Sequence, residues 1–339
     1  MTPKRDTVLD ITKTIGIILM VMGHLHFSED VFDKYIYAFH MPLFFIVSGI
    51  LFNQEKTLKN TIISRAKALL VPYVVFGGVY SVIFIVKSML AGEADAVVST
   101  LKVFFLYPVD KVPYESALWF LPAMFITSVA YAGLRKVLDL KWATVVTTAI
   151  GVFGFIYPHL TDVRLPWGID TALVALLFFH TGCLMKHCNL VERIKALRRK
   201  STLLLLMLTA AVFALNIFMV FMNDKMNLRK VEYGNPLLAY VNAVAGTVIC
   251  ILIAILIDSF AHGTGFKTLL CRISEVSIVF ICINHNVIKL FQFLLAPVST
   301  GVLGIVLIIL LSLSLILLVG HIIDRTPIRV VIGRKWRGC

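Results

Sequence analysis

The sequence predicts an all-α protein that crosses a membrane about ten times, and two observations support this. First, 59% of its 339 residues are hydrophobic and only 15% are charged, with a mean hydropathy of +0.91. A soluble core cannot absorb that much apolar surface. Second, the apolar residues lie in long runs separated by short polar connections, as in helices that span a bilayer.

Ten runs reach the roughly 20 mostly apolar residues that a helix needs to cross about 30 Å of hydrocarbon. They cover residues 9–27, 35–53, 68–90, 117–134, 142–158, 168–186, 202–222, 236–257, 274–294 and 301–323. We expect the whole chain, residues 1–339, to form a single transmembrane domain. The longest connection, near residues 91–116, is expected to include a partial helix on the membrane surface.

Lysine and arginine residues predict the orientation, because positive charge is retained on the cytoplasmic side. With the N-terminus inside, most of the 32 Lys and Arg residues fall on that side. We therefore expect both termini in the cytoplasm and the protein in the cytoplasmic membrane. Contacts with anionic lipid then explain the formal net charge of +13, so the charge does not indicate nucleic acid as a partner.

The first run contains ionisable residues that lipid disfavours, among them Lys13 and His24. Their spacing places them on one face of a helix, about 16 Å apart along its axis. Gly16 lies on the same side and would allow a neighbouring helix or a slim ligand to approach closely. Two explanations stay open: both side chains reach polar headgroups, or they face a site inside the protein.

Histidines also interrupt later runs, and two of them are further candidates for the site. His40 lies near the outer end of the second run and is followed by Pro42, which suits the first turn of a helix. His285, between Asn284 and Asn286, lies in the middle of the ninth run. Ionisable and amide side chains at that depth favour a functional or network role.

Two more polar or amphipathic residues open predicted spans. Trp119 begins the fourth run and Asp170 begins the sixth. Trp119 is typical of the aromatic belt at a membrane surface, and Asp170 suits the positive end of a helix dipole. Both are also candidates for binding a substrate. The Ser48–Gly49 pair in the second run predicts close helix packing more than a nucleophile.

In their order along the chain, these motifs resemble the acyltransferase-3 family of membrane acyltransferases, and within it the fucose 4-O-acetylase-like branch. The most specific piece is the second-run motif FHMPLFFIVSGILF. The accompanying pieces are the Lys and His of the first run, RAKALLVPY, LWFL, YGNPLLAY, the ninth-run His and RTPIRVVIGRK. The resemblance covers essentially the whole chain.

The resemblance implies an O-acyltransferase that moves an acyl group, acetyl by default, from cytoplasmic acyl-CoA to a hydroxyl of an envelope sugar, glycan or glycolipid. No metal is expected. His24 would act as general base, with His40 or His285 orienting it or donating to the oxyanion. Asn284 and Asn286 are further candidates for such donation and for acceptor contacts. Which of the three histidines is the base stays open.

The phosphates of coenzyme A would lie against a basic shell formed by Lys13, Arg65, Lys67 and Arg272. The family often has arginine at the position of Lys13, and lysine keeps the charge but lacks the planar fork. The implied partners are the acceptor and the lipid bilayer. Because some members carry an extracytoplasmic hydrolase-like domain, a separate extracytoplasmic protein is a further candidate partner.

Two other functions remain compatible with the residues. In a membrane transporter or exporter, the buried His and Lys would be substrate or proton sites. In a non-catalytic assembly partner of an envelope pathway, replacing His24 with alanine would leave the phenotype intact.

Overall fold

The computed structural model describes residues 6–25, 30–93, 95–108, 113–114, 116–261, 263–296 and 301–335. The part of the first predicted span that follows residue 25 lies outside these ranges. Most of the described chain is helical, and its β-structure is limited to an isolated bridge between Asn227 and Glu232. The all-α prediction is confirmed.

Within these ranges the α-helices are numbered in chain order: α1 (Thr7–Gly23), α2 (Asp30–Tyr37), α3 (His40–Ile50), α4 (Leu58–Arg65), α5 (Val71–Leu90), α6 (Asp95–Phe105), α7 (Phe120–Val137), α8 (Leu140–Leu160), α9 (Ile169–His187), α10 (Leu190–Lys200), α11 (Thr202–Met222), α12 (Pro236–Phe260), α13 (Gly265–Glu275), α14 (Ser277–Leu294) and α15 (Val302–Arg325). A π-helical turn, Ala66–Leu70, joins α4 to α5. Short 3-10 turns cover Ser116–Trp119, Pro166–Gly168 and Pro327–Ile332.

Eight of the predicted spans have a helix in the described chain that is long and apolar enough to cross a membrane. These helices are Leu58–Leu90, Ala117–Val137, Leu140–Leu160, Pro166–His187, Thr202–Met222, Pro236–Phe260, Ser277–Leu294 and Val302–Arg325. They correspond to the third to tenth predicted spans. A multi-pass membrane protein is therefore indicated, while the total of ten spans and the orientation stay predictions.

The second predicted span, residues 35–53, is not one helix. α2 ends at Tyr37 and α3 begins at His40. Hydropathy gave no sign of this break, because the residues on both sides of it are apolar or aromatic. Pro42 lies in the first turn of α3, as its position after His40 predicts.

The partial helix expected near residues 91–116 is present as α6. The ninth predicted span, residues 274–294, is also divided, because α13 ends at Glu275 and α14 begins at Ser277.

The chain separates into two compact units. Unit 1 consists of Met1–Asn53 and Ala175–Ser277, and unit 2 of Gln54–Val174 and Ile278–Cys339. In unit 1, α1 packs against α3, α12 and α13. In unit 2, α5 packs against α6, and the π-helical turn packs against α7.

Glycines allow the closest helix contacts of unit 1. A Cβ at Gly49 of α3 would overlap the carbonyl oxygen of Phe179 in α9, and a Cβ at Gly182 would overlap that of Ile46. The backbones of α3 and α9 therefore meet directly, which confirms the close packing expected at Ser48–Gly49. At Gly16 of α1, a Cβ would lie 2.9 Å from Leu43 in α3, so the neighbour that Gly16 admits is a helix.

Candidate functional site

At the N-terminal end of α1, a buried carboxylate holds Lys13. The Lys13 Nζ lies 2.8 Å from Asp10 Oδ1, and Ser274 Oγ donates to the same oxygen at 3.0 Å. The Thr14 hydroxyl donates to the Leu270 carbonyl at 2.6 Å, so α1 is bonded to α13 at two points. Asp6 begins the helix by accepting hydrogen bonds from the first turn.

Lys13 keeps some capacity to bind an anion. Its side chain is 23% exposed, and an ammonium group has three donors. Arg272 is exposed on α13, the helix that packs against α1 at this end. A phosphate here would also meet the negative charge of Asp10. Sequence reasoning missed Asp10, although its position three residues before Lys13 is the spacing of an ion pair within a helix.

His24 and His40 lie together at the other end of α1. His24 follows the last residue of α1, is half-buried and interacts electrostatically with His40. His40, the first residue of α3, is buried, and its Nδ1 lies 2.9 Å from the carbonyl oxygen of Ile36 in α2. Because a carbonyl only accepts, His40 Nδ1 carries the hydrogen, and the neutral ring offers Nε2 as an acceptor.

Tyr37 lies beside this imidazole pair. Its ring packs edge-on against His40 with 5.0 Å between centroids. A Cβ at Gly23 would lie 3.4 Å from Tyr37 Cε2, so the residue before His24 lies next to this ring. The histidines are thus placed by the junction of three helices, α1, α2 and α3.

In unit 2, Arg65 and Lys67 lie where α4 becomes the π-helical turn. Arg65 is half-buried and Lys67 is exposed. π-Helical turns inside longer helices are frequent at functional sites. Gly333, with φ +72°, lets the C-terminal turn approach the Lys67 carbonyl so closely that a Cβ would overlap it. Next to Gly333 in sequence, Arg334 forms an ion pair with Asp324.

The ninth-span group in α14 is polar and largely buried. Asn284 is fully buried and its Nδ2 donates to the Phe280 carbonyl at 2.7 Å. Asn286 Nδ2 is buried without a hydrogen-bond partner in the described part of the chain. His285, between them, is half-buried. Of the two amides, Asn286 therefore has the greater remaining capacity to donate.

Trp119 and Asp170 also lie inside unit 2. Trp119 is buried and packs edge-on against Phe120, which is unlike an exposed residue of an aromatic belt. Asp170 Oδ2 accepts from Arg164 Nε at 2.5 Å, and its Oδ1 accepts from the Thr171 N–H at 2.8 Å. These bonds hold the start of α9, in line with the helix-dipole explanation of Asp170.

Among the described residues, no group of three His, Cys, Asp or Glu side chains is arranged to hold a metal ion. Unit 1 brings His24 and His40 together and places Lys13 and Arg272 on neighbouring helices. Unit 2 contains the other candidates, Arg65, Lys67, Trp119, Asp170, Asn284, His285 and Asn286.

A comparison with known protein families identifies the family of this chain. The family model described as an acyltransferase domain, that of the acyltransferase-3 family, matches residues 6–321. The chain belongs to this family and is a membrane acyltransferase. Neither the curated proteins nor the solved structures with which it was compared gave a match.

Proposed function

We propose that the protein is a membrane O-acyltransferase that moves an acyl group, acetyl by default, from cytoplasmic acyl-CoA to a hydroxyl of an envelope sugar, glycan or glycolipid. The observation that carries this proposal is the family match over residues 6–321. The donor, the acceptor and the catalytic base are inferred from the residues, and the fucose 4-O-acetylase-like resemblance favours a sugar hydroxyl and an acetyl group.

We assign the general base to His24. An imidazole is suited to proton transfer near neutral pH, because its ordinary pKa is about 6.5. His24 is half-buried, so a substrate hydroxyl has access to it, whereas His40 is buried. His40 would then influence the charge of His24, because the two imidazoles lie close enough for their positive charges to repel.

In the proposed reaction, His24 takes the proton of the acceptor hydroxyl as its oxygen attacks the thioester carbonyl. A tetrahedral intermediate forms and collapses as the carbon–sulfur bond breaks. The protonated imidazole returns the proton to the departing thiolate, so the products are an ester and free coenzyme A. No oxidant, reductant or metal is needed.

Lys13 and Arg272 support an anionic donor at the other end of α1. Lys13 and His24 are separated by about 16 Å along the axis of α1, from the rise per residue of an α-helix. Coenzyme A has phosphates at one end of a long, narrow arm and the thioester at the other, which fits that separation in direction and scale. Arg65 and Lys67 of unit 2 stay independent candidates for phosphate contacts.

The test is acyl transfer in isolated membranes. Membranes containing the protein are given radiolabelled acetyl-CoA and the envelope glycan fraction from cells that lack the gene. We expect the glycan to become labelled only when both substrates are present. Movement of the glycan or another solute across the membrane without acyl-CoA, and without labelling, would instead favour a transporter.

A further inference from the structure

Asp33 of α2 is a buried carboxylate with unused capacity to accept. Its side chain is nearly inaccessible, with 4% of the residue exposed, and Oδ2 lies 3.4 Å from the Nζ of Lys225. Oδ1 is buried and accepts no hydrogen bond from any described residue. A buried charge is costly unless it is paired, so the carboxylate holds the Lys225 ammonium beside it.

Lys225 connects this carboxylate with the aromatic ring next to the imidazoles. Its ammonium lies 4.9 Å from the centroid of the Tyr37 ring, within the range of a cation–π interaction. Tyr37 in turn contacts His40, as described above. The side chains Asp33, Lys225, Tyr37 and His40 therefore form a continuous series of contacts. Lys225 is also 41% exposed, so it can meet a ligand from solvent.

Two neighbouring lysines have different partners. Lys34 donates to the carbonyl of Phe221 at 3.4 Å, next to the C-terminal end of α11, where a cation is favoured. Lys230 lies 3.7 Å from Glu232 in the same loop as Lys225, with both side chains exposed. Lys225 is instead placed between a buried carboxylate and an aromatic ring.

The loop that carries Lys225, residues 223–235, is held by other bonds. Asn223 donates from Nδ2 to the Tyr233 carbonyl at 3.1 Å and accepts from the Asn235 N–H at 2.7 Å. Met226 and Leu228 are buried. The loop therefore has its own anchors, and the Lys225 ammonium is presented by a well-packed segment.

We propose that Lys225, held between Asp33 and Tyr37, forms the subsite that binds a hydroxyl of the acceptor sugar. This inference rests on the proposed function. The exposed ammonium donates to a sugar oxygen, and Asp33 and Tyr37 position the ammonium. Because Tyr37 contacts His40 and lies next to the residue before His24, a sugar bound here would present a hydroxyl beside the imidazole pair.

The experiment measures substrate concentrations for half-maximal rate separately for the two substrates. Wild type, Asp33→Asn and Lys225→Gln are assayed in membranes against acetyl-CoA and against the glycan fraction from cells that lack the gene. Loss of a hydrogen bond to a charged group should raise the half-saturating glycan concentration by about tenfold or more. The half-saturating acetyl-CoA concentration should stay within about twofold. Lys230→Gln, a cation of the same loop, is the matched control and should match wild type.

Two results would overturn this inference while leaving the acyltransferase proposal intact. One is an unchanged glycan requirement in both variants. The other is a parallel rise for both substrates, which indicates a general structural role. Since Lys225 is exposed, Lys225→Gln decides the question even if Asp33→Asn fails to insert. If the wild type releases no coenzyme A with this glycan fraction, the acyltransferase proposal fails and the subsite fails with it.

Discussion

The two ends of α1 differ in how their ionisable groups are bonded. At the N-terminal end, Lys13, Asp10 and Ser274 are joined by short bonds, and Thr14 adds a bond to α13. At the C-terminal end, His24 interacts with a second imidazole, and the proton on that imidazole is fixed only at Nδ1. The first end holds a charge in place, whereas the second keeps a ring nitrogen with a lone pair. We therefore expect the N-terminal end of α1 to bind the donor and the C-terminal end to carry out proton transfer.

The largest effect is expected at His24. A general base contributes about 10²–10⁴-fold to the rate, so His24→Ala should lose activity by about that factor while the protein still inserts and binds coenzyme A. His24→Gln keeps a similar size and one hydrogen bond, yet should be nearly as inactive, because an amide does not accept the proton at neutral pH. The measurement is glycan acetylation per unit of membrane-inserted protein.

Near-normal turnover of His24→Gln would exclude His24 as the base and leave His40 or His285. Loss of activity that follows a lower amount of inserted protein would indicate a structural role for His24.

The next effect concerns Lys13. Lys13→Ala should weaken coenzyme A binding by about tenfold, the loss expected for one charge-assisted contact. Lys13→Arg should retain most of the affinity, because the charge and the ion pair with Asp10 are kept. Titration calorimetry on detergent-purified protein measures both. The comparison variant is Asp10→Asn, which removes the partner of Lys13 but leaves its charge.

If Lys13 serves only α1, Asp10→Asn and Lys13→Ala should lower thermal stability similarly and leave donor affinity unchanged. That result would limit the N-terminal end of α1 to a structural role.

A smaller effect is expected in unit 2. Arg65→Ala should weaken coenzyme A binding several-fold, because the half-buried guanidinium would be only one of several phosphate contacts. Lys59→Ala, on the exposed surface of the same helix, is the control and should bind as wild type does. Equal coenzyme A binding by Arg65→Ala and wild type would mean that the positive charge of Arg65 only helps to set the orientation of the protein in the membrane.

The last test determines which side of the membrane each end of α1 faces. Its cysteine substitutions are expected to leave activity unchanged. Lys195 lies 3.1 Å from Asp6, so a cysteine at 195 reports the side of the N-terminal end. A cysteine at Lys195 or Asn60 should be shielded from an impermeant reagent in intact cells, and one at Lys230 should react. Labelling at 195 from outside would reverse the predicted orientation and move the donor site.

Hydropathy predicted the long helices well because a run of about 20 apolar residues is the main requirement for a helix that spans lipid. α11 has the predicted bounds, residues 202–222, and the third to tenth spans all have helices. The break between α2 and α3 could not be found in this way, because a helix end inside an apolar run leaves hydropathy unchanged. Phe39 precedes α3 without a capping side chain, so the usual polar signal is also missing.

The candidate site was predictable only where it is local in sequence. The spacing of Lys13 and His24 predicted that both lie on one side of the first helix. Lys13 lies in α1 and His24 directly follows it. Asp10 could have been recognised as the ion-pair partner of Lys13. Ser274, which bonds to Asp10, is 264 residues away and has no local signal. Asp33 and Lys225 are likewise joined only by tertiary packing, across 192 residues.

His40 is tied to two helices at once, since its backbone begins α3 and its imidazole is bonded to the last turn of α2. The position of its proton therefore depends on the angle between two short helices. An insertion or deletion of one residue at 38–39 would displace Ile36 relative to His40 and remove this bond. The length of the two-residue linker, more than its side chains, thus governs which nitrogen of the imidazole carries hydrogen.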